Sequence, residues 1–287
     1  MRWLWLFVAA LVAISALFVA YTQFAPGRGP AIATSDQNCG SAPAAAATSD
    51  TSIPGGAGGA PAAVSTTPSI RVIGSVVTAA EVGSADGSVV LSVTPTLTGH
   101  AVGDRILLFV GARTKPTAPS GMTLIGDSSG QTNHGVVAAY QMVATSAAEI
   151  CKTVSIRDAR WGNHLFAVLI AVRNSPGGVE AVAAAATNAP DSADLAGLAV
   201  VTSGNDRLVF NAWGWRDNYP DINRGANPGS PAAGWEEAVE STATTGYSDG
   251  FAVDYKVRTS TGTEAAPTRA VARPPSGDKN VVGFAVF

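Results

Sequence analysis

The chain repeats itself, and the length of the repeat limits what it can fold into. Gly103-Asp104-Arg105-Ile106-Leu107-Leu108-Phe109 has a counterpart in Asn205-Asp206-Arg207-Leu208-Val209-Phe210-Asn211. Ser120-Gly121-Met122-Thr123 answers to Ala233-Gly234-Trp235-Glu236, and residues 135–145, with Tyr140 and Val143, answer to residues 250–260, with Tyr255 and Arg258. Residues 163–170 match residues 280–287, and the offset between the halves grows from 102 to 117 residues along the chain. A period of that length is too long for solenoid or propeller repeats. It suits a duplicated set of about four strands.

The matched runs are short, rich in β-branched and apolar residues, and separated by Gly, Pro, Asn and Asp, which is how strands and their turns read. Two units that are each apolar on one face bury those faces most simply against each other. Alternation puts Ile106, Leu108, Val110 and Ala112 on the inward face of the first unit, and Leu208, Phe210, Ala212 and Gly214 on that of the second. Only the Ala-rich residues 179–187 leave helix and strand in competition. The fold expected over residues 69–287 is all-β, a two-sheet antiparallel β-sandwich of jelly-roll type built from an internal duplication.

The succession Gly103 to Leu108, then Ala118-Pro119-Ser120-Gly121-Met122, then Val136-Val137-Ala138-Ala139-Tyr140-Gln141-Met142-Val143-Ala144 resembles a β-sandwich module of bacteriophage tail-associated and secreted bacterial surface proteins. The resemblance covers essentially the whole β-domain and implies an exposed binding or structural module. That group has no common catalytic residues to carry over.

Residues 3–21 form an apolar run whose only plainly polar member is Ser15. As a helix it would be about 28 Å long, close to the hydrocarbon thickness of a bilayer. Trp3, Trp5 and Tyr21 stand at its ends, where amphipathic rings favour the interface, and Arg2 precedes it. The expectation is a transmembrane anchor over residues 1–24 with the remainder outside the cytoplasm. A cleaved signal peptide is the competing reading, with Ala13-Ile14-Ser15 as its small-x-small site; it would make the protein secreted.

Residues 25–68 are mostly Ala, Gly, Pro, Ser and Thr, without apolar periodicity. Such a composition cannot bury enough surface to offset its ordering entropy, so a flexible linker is expected, reaching about 35–40 Å.

Charged residues are 14% of the chain and the formal net charge is -3. That leaves no basic footprint for a phosphate backbone, so nucleic acid is not an expected partner. Cys39 and Cys151 make no disulfide framework, though a single bridge between them stays open in an oxidising compartment. His100, His134 and His164 have no metal-ligand spacing, and no Gly-x-Ser-x-Gly elbow, phosphate loop or HExxH motif occurs. No cofactor and no metal are expected. Asp217, Asn218, Asp221 and Asn223 offer oxygen ligands, but without a regular calcium-loop pattern.

Two features invite chemistry. Glu236, Glu237 and Glu240 suggest a glycosidase carboxylate pair. In a regular strand Glu236 and Glu240 would share a face with Glu237 opposite, as on a wet strand face. The second feature is Asn211, Trp213, Trp215, Asp217 and Tyr219. With Phe210 and Ala212 inward, alternation turns Asn211, Trp213 and Trp215 outward, at positions equivalent to Phe109, Gly111 and Arg113 of the first unit. Those five residues would stack on and hydrogen-bond a sugar or a partner loop, unless the following polar insertion covers them. The function expected is a non-catalytic, membrane-anchored extracytoplasmic interaction or structural module, engaging a protein partner or a surface glycan. The alternatives are a carbohydrate-binding or phage-type receptor-binding module and, last, a glycan hydrolase using Glu236 or Glu240.

Overall fold

The computed structural model describes residues 69–80, 89–93, 101–112, 114–129, 135–146, 154–158, 165–187, 194–215, 229–242, 250–271 and 279–287, all within the unit Ala42–Phe287. The expected anchor (1–24), linker (25–68), both cysteines and all three histidines lie outside them. Among the described residues no helix is long and apolar enough to cross a membrane.

The described chain is all-β, without a helix. Its first half contributes β1 (Arg71–Ala80), β2 (Val89–Val93), β3 (Arg105–Ala112), β4 (Thr123–Asp127), β5 (Val136–Val143), β6 (Val154–Asp158) and β7 (Leu165–Arg173). The second contributes β8 (Val179–Thr187), β9 (Asp194–Ala196), β10 (Val200–Thr202), β11 (Arg207–Trp215), β12 (Gly229–Ser230), β13 (Glu236–Thr242), β14 (Gly250–Arg258), β15 (Gly262–Glu264), β16 (Thr268–Val271) and β17 (Lys279–Val286). The Ala-rich segment is therefore a strand, β8.

Two five-stranded sheets dominate, in the orders β1-β7-β3-β5-β4 and β13-β14-β11-β17-β8. Read from β8, the second order is that of the first: first strand, last, second, fourth, third. Irregularities recur at matching places. Ile73 is an extra residue in β1 opposite β7, and β8 has one opposite β17; Ile125 bulges from β4 opposite β5, and Ala238 from β13 opposite β14. The turns entering β4 and β13 also agree. Met122 N–H donates to Pro119 O and Trp235 N–H to Ala232 O, with Gly121 at φ 85° and Gly234 at φ 79°. Only a residue tolerant of positive φ closes such a turn.

Pairing is nested within each half. β1 pairs with β7, β2 with β6 and β3 with β5; likewise β8 pairs with β17, β9 with β16, β10 with β15 and β11 with β14. Each half closes its own ladders and contributes a complete sheet.

The two sheets meet through one apolar layer, in which Leu107, Phe109, Val137, Phe166, Val168 and Ile170 face Leu208, Phe210, Phe251, Val253, Val282 and Phe284. The rings of Phe109, Phe210 and Phe284 lie with centroids 5.6 Å apart pairwise. This corrects the expected face of β3: Ile106, Leu108, Val110 and Ala112 point away from the second sheet, into a separate cluster with Met122, Tyr140 and Leu169. Every residue of β3 is buried, so alternation of hydrophobicity carried no information about which side is inner.

The ladders also shift the repeat alignment. Since Leu124 pairs with Tyr140 and Glu237 with Asp254, Tyr140 corresponds to Asp254 rather than Tyr255. Through β3 and β11, Leu108 then corresponds to Asn211, one residue from the alignment that matched the Asp-Arg pairs. Gly103 and Asp206, both at positive φ, fall together in this register.

The corrected register exposes a reciprocal contact. Gly111 pairs with Val137 and Gly214 with Phe251 within their sheets. Across the layer, a Cβ at Gly111 would lie 2.5 Å from Phe251 Cδ2, and one at Gly214 2.8 Å from Val137 Cγ2. Residue i meets j′ while i′ meets j, as across a two-fold axis. Gly111→Ala is expected to lower the unfolding free energy by about 1–3 kcal/mol through overpacking, and Phe251→Leu in the same chain should restore part of it in urea titrations.

Outside this sandwich lie thinner layers. The β2–β6 ribbon rests on β7 and β1. Over the second sheet lie the three-stranded β12-β16-β9 sheet and the β10–β15 ribbon.

Candidate functional site

The outer face of the second sheet carries both features that the sequence singled out. Asn211, Trp213 and Trp215 stand in a row along β11, at 0%, 1% and 4% exposure. Asp217 and Tyr219 lie outside the described residues. The three that are described come together beneath the β12-β16-β9 sheet, where Trp213 and Trp215 pack with Leu195, Ala252, Val271 and Val281. Their polar atoms are engaged internally. Trp213 Nε1–H donates to Ala196 O at 3.2 Å, and the Asn211 carboxamide accepts from Leu198 N–H and donates to Leu198 O. No indole face is open for stacking in this arrangement. Their counterparts in the first half are Leu108, Val110 and Ala112, not Phe109, Gly111 and Arg113, and they too lie buried in the outer layer.

Beside the tryptophans sits a charge cluster centred on Arg269, which the sequence reading did not single out. β16 alternates exposed and buried residues, Thr268 out, Arg269 in, Ala270 out, Val271 in. An arginine at an inward position of such a strand was the available signal. Its guanidinium is fully buried and donates through NH1 to Asp254 Oδ1 at 2.5 Å and through NH2 to Glu237 Oε2 at 2.7 Å and to Glu240 Oε2. Glu240 also accepts the Gly229 N–H, at 2.9 and 3.0 Å to its two oxygens. The cluster thus ties β16 and β12 of the outer layer to β13 and β14 of the sheet.

This corrects the expected disposition of the acids. The bulge at Ala238 adds a residue between Glu237 and Glu240, so these two turn to the same side. Glu236 faces elsewhere and accepts from Tyr255 Oη at 2.5 Å. Glu240 is not part of a wet face; it is committed to Arg269 and a backbone amide.

Asp254 is the electrostatic centre of the site. It is fully buried, and its Oδ2 and Arg269 Nε have no hydrogen-bond partner among the described residues. Burial pushes its carboxyl up to about 6; Arg269 opposes that, and the carboxylates of Glu237 and Glu240 add to it. Burial and then Glu236 push the Tyr255 phenol up to about 12, which keeps it the donor in its bond. Among the described residues no three His, Cys, Asp or Glu side chains are grouped to hold a metal ion.

Fold and site together define an antiparallel all-β protein whose paired sheets carry an ionic joint in one outer layer. No family model, no curated protein and no solved structure matches the chain.

Proposed function

We propose that this protein is a non-catalytic interaction or structural module, displayed outside the cytoplasm and held at a membrane through residues 3–21. The observation that carries the reading is where its reactive-looking groups are directed. Glu240 and Asp254 are bound to one buried guanidinium, and Trp213 donates to a backbone carbonyl. These side chains brace layers of the fold instead of lining a cleft. The identical strand order of the two sheets and their reciprocal glycine contacts support duplication of a single rolled unit. A body of that kind suits attachment better than turnover, because the packing between its two large sheets is shared between the halves. The β-sandwich resemblance supports the same conclusion.

The test is capture of the full chain from its native membrane in detergent, with mass spectrometry of the chain and its companions. An intact N-terminus with stoichiometric partner proteins is the expected result. A chain that begins near residue 16 or 26 and comes without companions would overturn both the anchor and the accessory role.

A further inference from the structure

Among the described residues, the ionic joint over the second sheet is short of positive charge. Arg269 from β16 faces Asp254 from β14 and Glu237 and Glu240 from β13, three carboxylates to one guanidinium. Among the described residues the other neighbours do not correct the balance: β12 brings Gly229 and Ser230, β11 brings the neutral Asn211, the exposed Asp194 begins β9, and Lys256, two residues along β14 from Asp254, donates to Glu264 at 2.7 Å. Glu237 is partly exposed, so water screens it, but Asp254 is fully buried with one oxygen unpaired among the described residues. A buried carboxylate in that position is costly unless its charge is met.

The fold itself does not require the arrangement. At the position of Asp254 the first half has Tyr140, whose hydroxyl donates to Pro116 O at 2.7 Å, and at the position of Glu237 it has Leu124. One scaffold therefore closes its outer face twice, once with an aromatic ring and once with charges. The charged version differs in one physical respect: its closure responds to protons.

We propose that Arg269, Asp254, Glu237 and Glu240 form a proton-operated latch, holding the β12-β16-β9 layer shut over Trp213 and Trp215 in mild acid and loosening it as the pH rises. The direction follows from linkage. With the layer shut, burial holds the Asp254 carboxyl at about 6; with the layer lifted, water returns it toward its ordinary 3.8. The shut form then binds the proton more tightly, so lowering the pH favours closure and raising it through 6 favours opening. One pH unit below the shut-state value is worth about tenfold in the closing equilibrium, and the whole difference at most about 100-fold. Opening would bare Asn211, Trp213 and Trp215, the row that suits stacking and hydrogen bonding.

Hydrogen–deuterium exchange of the full chain at pH 5 and pH 8, corrected for intrinsic amide rates, tests this. Protection of β9 and β16 should fall about tenfold relative to the β2–β6 ribbon, and Asp254→Asn should abolish that pH dependence. Equal protection at both pH values, or a dependence that persists in Asp254→Asn, would overturn the latch. If that variant does not fold, the carbon-detected titration of the Asp254 carboxyl in the unaltered chain decides. A midpoint above 5.5 supports the latch, and one near 4 removes it.

Discussion

Replacing Arg269 by leucine is expected to destabilise the protein by about 3–5 kcal/mol, the scale for breaking a buried ion pair from one side. The loss arises less from the missing attraction than from what stays behind. Asp254 has no exposed surface and, among the described residues, no other hydrogen-bond partner. Without the guanidinium its charge is unmet, and it folds only by taking up a proton. Glu240 keeps its backbone donor at Gly229, and Glu237 is exposed enough to swing into water. The damage should therefore concentrate on Asp254. Accordingly, Arg269→Leu combined with Asp254→Leu is expected to regain most of the stability, since apolar residues of similar volume replace buried pairs at little or no net cost. The first half already closes its own outer face with Tyr140 at the matching position. Urea titrations of the two single variants and the double variant form a cycle. A coupling below about 1 kcal/mol would mean that the pair does not act as a unit.

Much of this fold was legible in the sequence because its punctuation is local. Gly121 and Gly234 each close a turn that only positive φ permits, and the strands after them align in the expected register. The two five-stranded sheets have the same strand order. Residue-level register was not legible, for a physical reason. Both faces of β3, β7 and β17 are buried, so the period-2 signal that normally separates inside from outside is absent. The similar Asp104-Arg105 and Asp206-Arg207 pairs then drew the alignment one residue out of step. The edge strands β1 and β8 do not show as a fifth pair in the sequence, because the bulges at Ile73 and in β8 break their alternation. At the site, the bulge at Ala238 reversed which glutamates stand together, and no period-2 argument foresees a bulge. Arg269 comes from a separate short strand 15 residues beyond Asp254, and the nested pairing of β9 with β16 sets that strand over the sheet.

The row on β11 gives the other large effect. Trp213→Ala is expected to cost about 3–5 kcal/mol, as for other fully buried aromatics. Trp213 is 1% exposed, touches both the sheet and the layer above it, and donates its indole N–H to Ala196 O in β9. Truncation would leave a cavity between Leu195, Val271 and Val281 and take from the Ala196 carbonyl its indole donor. The first half has Val110 at this place, so side-chain size here is set by the layer above and not by the sheet. The variant separates two roles for the residue. A side chain standing exposed for a ligand in the shut form would, on truncation, change stability by no more than about 0.5 kcal/mol. A side chain that seats the outer layer loses several times that, and takes the protection of β9 and β16 with it. Thermal and urea unfolding of Trp213→Ala beside Trp213→Phe resolves the energy further. The phenyl ring refills most of the volume without the donor, so the gap between the two variants measures packing, and what remains lost in Trp213→Phe measures the bond to Ala196. Because that bond and the Arg269 pairs secure the same layer from adjacent strands, losses from Trp213→Phe and Arg269→Leu should add less than fully.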